Sequence, residues 1–188
     1  MRRTIVIEFS TLDGIIEDPD GSQGTPNGGW AFRHGPGTVA GDKFHLGATL
    51  GTGVLLLGRT TWQLFSRIWP SRTDEFSAAM NSIPKLVASY TLTDLSAWPN
   101  STTLDEDLIA FAERRKADRD VIVAGSASIV HALAAADLVD EYRILLFPSV
   151  LGTGIRLFPE GSAPEHFRLV SAEPAGQAVL LCYERPVN

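Results

Sequence analysis

The stretch Asp120 to His131 reads Asp-Val-Ile-Val-Ala-Gly-Ser-Ala-Ser-Ile-Val-His, a set of residue types that suits phosphate binding. Val121 to Ala124 is apolar without polar alternation, as in a strand buried on both faces. Gly125 and Ser126 interrupt the run. From Ser128 the spacing becomes helical, with Ile129, Val130, Leu133 and Ala134 on one face. A buried strand that feeds a helix through small residues leaves main-chain N–H groups unpaired at the positive end of the helix dipole, where an anion is stabilised. The same residues also fit an ordinary β-α turn in which Ser126 or Ser128 caps the helix.

Other chemistries fare worse. Metal binding needs clustered ligands, but His34, His45, His131 and His166 are scattered, with no pair four residues apart. A serine-nucleophile elbow needs G-x-S-x-G, which Ala124-Gly125-Ser126-Ala127-Ser128 does not supply. Gly53 to Thr60 comes within one letter of a nucleotide phosphate loop, yet its central Val-Leu-Leu-Leu is strand-like and would hide the N–H groups that such a loop exposes. Nicotinamide chemistry remains, because there the cofactor carries the reactivity and the protein supplies phosphate grips, a flat pocket and at most one acid.

Composition sets the bounds. The chain's 188 residues suit a single α/β domain, and 44% hydrophobic with 20% charged residues is ordinary for a globular protein. A net charge of −6 argues against a nucleic-acid or anionic-membrane surface, which needs a basic field. The lone Cys182 fits a reducing compartment and reads as core packing. Met1-Arg2-Arg3 leads directly into Thr4-Ile5-Val6-Ile7, too short for a secretory signal, and no apolar run spans a membrane. A soluble cytoplasmic protein is expected.

The elements that must position the chemistry follow from periodicity. Strands are expected at Thr4–Phe9, Val54–Leu57, Lys85–Ser89, weakly around Thr102, at Val121–Ala124 and at Asp140–Phe147. A terminal hairpin is expected from 167–172 and 178–184. Helices are expected over 39–50 despite Gly41 and Gly47, over 60–68 capped by Thr60 or Thr61, over 74–82, over 105–116 and from Ser128. The Gly- and Pro-rich stretch 18–37 is a long loop, with Trp30 and Phe32 as its anchors or as a flap. Helices alternating with strands, then a run of strands, predict a largely parallel sheet flanked by helices, with an antiparallel C-terminal edge.

Four motifs in chain order carry a resemblance. Leu55-Leu56-Leu57-Gly58-Arg59-Thr60-Thr61-Trp62 resembles the strand-and-turn signature of the dihydrofolate reductase-like fold. Leu12-Asp13-Gly14-Ile15-Ile16-Glu17 is similar to the start of the branch containing the C-terminal reductase domain of the riboflavin-biosynthesis deaminase-reductase. Val123-Ala124-Gly125-Ser126 and the stretch from Leu138 through Pro148 to Gly154 extend the likeness across nearly the whole chain.

This resemblance implies a three-layer α/β fold, a homodimer and NADPH as hydride donor. By position, Gly58, Arg59, Thr60 and Thr61 would hold the cofactor's phosphates, Ser89 and Thr91 would sit at the adenosine end, and Gly125, Ser126, Ala127 and Ser128 would meet the diphosphate. Thr153 and Gly154 would line the nicotinamide side. Two departures stand out: Tyr90 replaces an arginine of this branch, which bears on the 2′-phosphate grip, and Ala127 replaces a glycine.

For the proton, Asp42 lies where a dihydrofolate reductase keeps its acid, with Phe44 following it, and a helix N-terminal Asp stabilised by the dipole is the plainer reading. Asp13 is the alternative, although in Leu-Asp-Gly it can bond its own turn. Trp30 and Phe44 are candidates to cover a substrate. The expected activity is hydride transfer to a pterin- or aminopyrimidinone-like heterocycle. The alternative is a nucleotide- or small-ligand-binding protein of the same fold without reductase activity, since function lies in the site and not the scaffold.

Overall fold

The computed structural model describes residues 2–115 and 119–186. Eight strands order as β4-β3-β2-β5-β1-β6-β8-β7. They are β1 (Thr4–Thr11), β2 (Val54–Gly58), β3 (Lys85–Ala88), β4 (Ser101–Thr103), β5 (Val121–Val123), β6 (Glu141–Phe147), β7 (Arg168–Ala175) and β8 (Ala178–Glu184). Helices flank the sheet, and the expected α/β architecture with its antiparallel C-terminal hairpin is observed. The chain divides into two compact units, 2–6 with 46–139 and 7–45 with 140–186, so β1 contributes to both.

In the first unit every pairing is parallel. β2 pairs with β3 from Leu55↔Lys85 to Gly58↔Ala88 and with β5 from Val54↔Val121 to Leu56↔Val123. β3 pairs with β4, and Thr4, Ile5 and Val6 of β1 pair with β5. Both faces of such a sheet are covered, which is why all five residues of β2 are buried and its sequence shows no alternation. Each fully buried leucine there contributes about 2 kcal/mol. Helices α3 (Arg59–Ile68), α4 (Glu75–Ser82), α5 (Leu108–Arg115) and α6 (Ala127–Ala135) bury Trp62, Met80, Phe111, Ile129, Val130 and Leu133. Asp74 caps α4 by accepting from the Ser77 amide at 3.0 Å. Lys85 is 1% exposed, and burial pushes its pKa down to about 8. Its Nζ donates to the carbonyls of Asn81, Ile83 and Pro99, which ties β3 to the end of α4.

In the second unit β6, β8 and β7 are antiparallel. Alternation places Leu145, Phe147, Ala178 and Leu180 in one buried cluster with Trp30 and Ala31. The loop 18–37 is ordered around Asp18, 1% exposed, whose carboxylate accepts from the amides of Gln23 and Thr25 and from the Thr25 hydroxyl at 2.9–3.0 Å.

Three expectations need correction. The helix over 39–50 is instead two short ones, α1 (Pro36–Val39) and α2 (Gly47–Thr52). Gly41, His45 and Gly47 take φ of 77°, 50° and 32°, which no continuous right-handed helix allows. Helix α3 begins at Arg59 with Gly58 as its N-cap, so neither Thr60 nor Thr61 caps it. α5 is shorter than expected at its start, and Lys116, its expected last residue, lies outside the described residues. Among the described residues no helix is long and apolar enough to cross a membrane.

Candidate functional site

In the first unit, two strand-to-helix turns meet. Gly58 ends β2 and Gly125-Ser126 follows β5, and the Gly58 amide donates to the Gly125 carbonyl at 3.1 Å. The Gly125–Ser126 peptide is cis. The approach is too close for a side chain: a Cβ on Gly58 would stand 2.2 Å from Ser126 Oγ and 3.1 Å from Ser126 N. Thr61 Oγ1 lies 3.3 Å from the same Ser126 hydroxyl. Helices α3 and α6 therefore start side by side.

Ser126, and not the alternative Ser128, occupies the N-cap position of α6 but makes no side-chain cap bond there, and α3 has no side-chain cap either. The first-turn amides at Arg59, Thr60, Ala127 and Ser128 are thus not satisfied by side-chain caps, and two positive helix ends coincide. Arg59 is exposed at this rim, and its Nη1 donates to Thr91 Oγ1 at 3.4 Å. Ser89 Oγ accepts from the amides of Thr91 and Leu92 and shapes the turn after β3. The ten first-unit residues expected to touch a cofactor fall on these three adjacent turns and on the starts of α3 and α6 that follow two of them. A dinucleotide's diphosphate fits such a cradle chemically: small residues permit close approach, amides donate, and a guanidinium adds charge-assisted bonds.

The remaining candidates belong to the second unit. Asp13 Oδ1 accepts from Thr11 Oγ1 at 2.6 Å, and its Oδ2 accepts from the amides of Leu151 (3.2 Å) and Gly152 (2.7 Å). The Thr11 hydroxyl and these amides, against some burial, hold its carboxyl below the ordinary range. An ionised carboxylate so occupied is a latch for the 150–154 turn rather than a proton donor. Thr153 is exposed on that turn. A Cβ on Gly154 would meet Ile15 Cγ2 at 2.8 Å, so the turn packs directly on the segment after Asp13.

Asp42 is not on a helix. It lies between α1 and α2, where its carbonyl accepts from the His45 amide at 3.3 Å. Arg143 fixes the following residues, with Nη1 donating to the carbonyls of Phe44 and His45 at 2.7 Å each and Nε donating to Glu141 Oε1 at 2.5 Å. Phe44 stacks on Phe9 with ring centroids 5.6 Å apart, and Phe9 contacts Phe147. Trp30 is 1% exposed, edge-on to Phe147, with Nε1 donating to the Glu17 carbonyl at 2.8 Å. Trp30 is a core anchor of the loop, whereas Phe32 is 53% exposed.

Two groups escaped sequence reasoning. His34 Nε2 lies 2.8 Å from Ser149 Oγ, a pairing of residues 115 apart that no local pattern announces. Glu8, the one charged residue of β1, is half-buried, and burial pushes its carboxyl up to about 8. The signal was present as a lone acid inside Thr-Ile-Val-Ile-Glu-Phe-Ser-Thr.

The chain is 29% identical over 190 residues to YwjB of Bacillus subtilis (strain 168), an uncharacterized protein, covering 98% of both chains. A crystal structure from Shewanella sp. PV-4, provisionally named a riboflavin biosynthesis protein, superposes with a TM-score of 0.74 at 21% identity, covering 98% of this chain and 99% of that one. It shares the fold. Residues 3–181 match the family of the RibD C-terminal domain, a family of reductase-like role. With four motifs in order, the converging turns and a match over nearly its full length, the chain belongs to the RibD C-terminal domain family.

Proposed function

We propose that this protein is a reductase that takes hydride from a nicotinamide dinucleotide and passes it to a C=N or C=O carbon of a small, flat heterocycle of pterin or aminopyrimidinone type. The observation that carries the reading is the junction of two uncapped helix N-termini at Gly58 and Ser126, with Arg59 at its rim. The amides of the α3 and α6 starts would hold the diphosphate, and Arg59 would add charge-assisted bonds. When bound, the dinucleotide supplies hydride from nicotinamide C4, and the resemblance to the family gives NADPH as its form. The protein's own part is positioning and exclusion of water.

Titration of the protein with reduced nicotinamide dinucleotides, followed by tryptophan fluorescence, tests the reading. Micromolar binding, weakened about tenfold or more by Arg59→Ala, is expected. Turnover with pterins or aminopyrimidinones would then name the substrate. Absence of binding at millimolar concentration rejects the proposal.

One observation favours a second reading. Trp30 and Phe44 are packed against Phe147 and Phe9 in the second unit's aromatic core. A protein that binds the nucleotide without reducing anything would show the same titration but no turnover with any heterocycle. Association of two copies is also proposed. Val150, Ile155 and Phe158 are 68%, 44% and 49% exposed on the segment that the resemblance places at a dimer contact, and sedimentation would report it.

A further inference from the structure

Beyond the ends of β3 and β4 lies a groove of about 710 Å³, walled by Ser89, Tyr90, Thr103, Asp105, Glu106 and Asp107 among others. It adjoins Thr91, the residue that Arg59 reaches. Its chemistry is unsuited to a second phosphate. The lining contains no lysine or arginine, and three consecutive carboxylates face it. Glu106 is paired with Arg114. Asp105 accepts from Thr103 Oγ1 at 2.8 Å, and Asp107 accepts from the amides of Ile109 and Ala110 at 3.0 Å, capping α5. Neither has a cationic partner among the described residues. Tyr90 stands at full exposure, 105%, so its ring is not committed to the protein core.

A ribose 2′-hydroxyl is a donor that a carboxylate accepts well, whereas a 2′-phosphate brings about two negative charges that need arginine or lysine. An uncommitted aromatic ring beside such a groove offers a stacking face to a purine. We infer that this groove takes the adenosine of a dinucleotide whose ribose carries a free 2′-hydroxyl, so that NADH and not NADPH is the donor. The inference rests on the dinucleotide reading above and departs from the family resemblance at this one subsite. Arg59 reaches Thr91 at the groove's edge but is assigned above to the diphosphate, and no lysine or arginine lines the groove itself.

The test is calorimetric titration of the full chain, at low ionic strength, with NADH, NADPH, ADP-ribose and 2′-phospho-ADP-ribose. Each unphosphorylated ligand is expected to bind about tenfold tighter than its 2′-phosphorylated counterpart, with the gap narrowing as salt screens the repulsion. Tyr90→Arg, at a site too exposed to disturb folding, should erase or reverse the preference, and Asp105→Asn should narrow it. Equal or tighter binding of the 2′-phosphorylated ligands overturns the inference while leaving the dinucleotide reading intact. Preference unchanged in both variants also overturns it, because the selectivity would then arise elsewhere. If no ligand binds to the folded protein, the dinucleotide reading fails and this inference fails with it.

Discussion

Gly58 and Ser126, far apart in sequence, occupy one contact: the space a Gly58 side chain would need is filled by the Ser126 hydroxyl, 2.2 Å from an ideal Cβ. That contact is what brings the α3 and α6 N-termini together. Each turn alone is a common β-α connection. Their apposition brings two sets of first-turn amides together, a chemistry suited to an anion.

Gly58→Ala should therefore cost both stability and nucleotide affinity. The added methyl must displace Ser126, an overpacking loss of about 2 kcal/mol. Combining it with Ser126→Gly removes the colliding Oγ and Cβ and should recover much of that loss, although the backbone nitrogen at 3.1 Å remains close. Urea unfolding of the single and double variants measures the effect. Additive losses, with no recovery in the double variant, would contradict the contact.

How much of this was legible beforehand depends on the range of each interaction. The strand-turn-helix at 121–135 was readable because burial on both faces and helical spacing are local patterns. The terminal hairpin was readable for the same reason. The break between α1 and α2 was not, because it depends on positive φ at Gly41, His45 and Gly47, and a non-glycine such as His45 gives no warning of it. Trp30 could equally have been a lid or an anchor. Its place was decided by Phe147, and that of Phe44 by Phe9 and Arg143, all distant in sequence. Tyr90 is legible as a departure, but nothing local marks the carboxylates that line the same groove as more than the start of a helix.

Asp13 gives a second prediction. Its carboxylate holds the 150–154 turn through the Leu151 and Gly152 amides, and the Thr11 hydroxyl keeps it ionised. Asp13→Ala should cost about 1 kcal/mol at neutral pH, a modest figure because solvent screens the site. The carboxyl is lowered on folding, so its contribution is present above the ordinary value of 3.8 and is lost as pH falls through the lower folded value. Native protein and variant should converge in stability in that acid range. Hydrogen exchange at the Leu151 and Gly152 amides should also speed up in the variant at neutral pH. Unchanged exchange there would remove Asp13 from the role of latch.

Glu8 gives the third, with the opposite sign. In the folded protein its carboxyl keeps a proton up to about pH 8, whereas the unfolded chain releases it near 4.5. Folding therefore takes up a proton between those values, and stability falls as pH rises through the window. Glu8→Gln supplies a neutral side chain of the same shape and abolishes the penalty. The two proteins should be nearly equal in stability at pH 4, where the folded chain is protonated and the unfolded chain largely so. By pH 8 the variant should lead by on the order of 2 kcal/mol, a figure reduced for the partial solvent access of this side chain. Urea midpoints measured from pH 4 to 9 decide the matter. Parallel profiles would mean that Glu8 ionises freely, whereas a widening gap would identify the one acid on β1 that stays protonated at neutral pH. Such a group is in the state required to give up a proton, so turnover of Glu8→Gln against any substrate found in the heterocycle screen is the natural companion measurement.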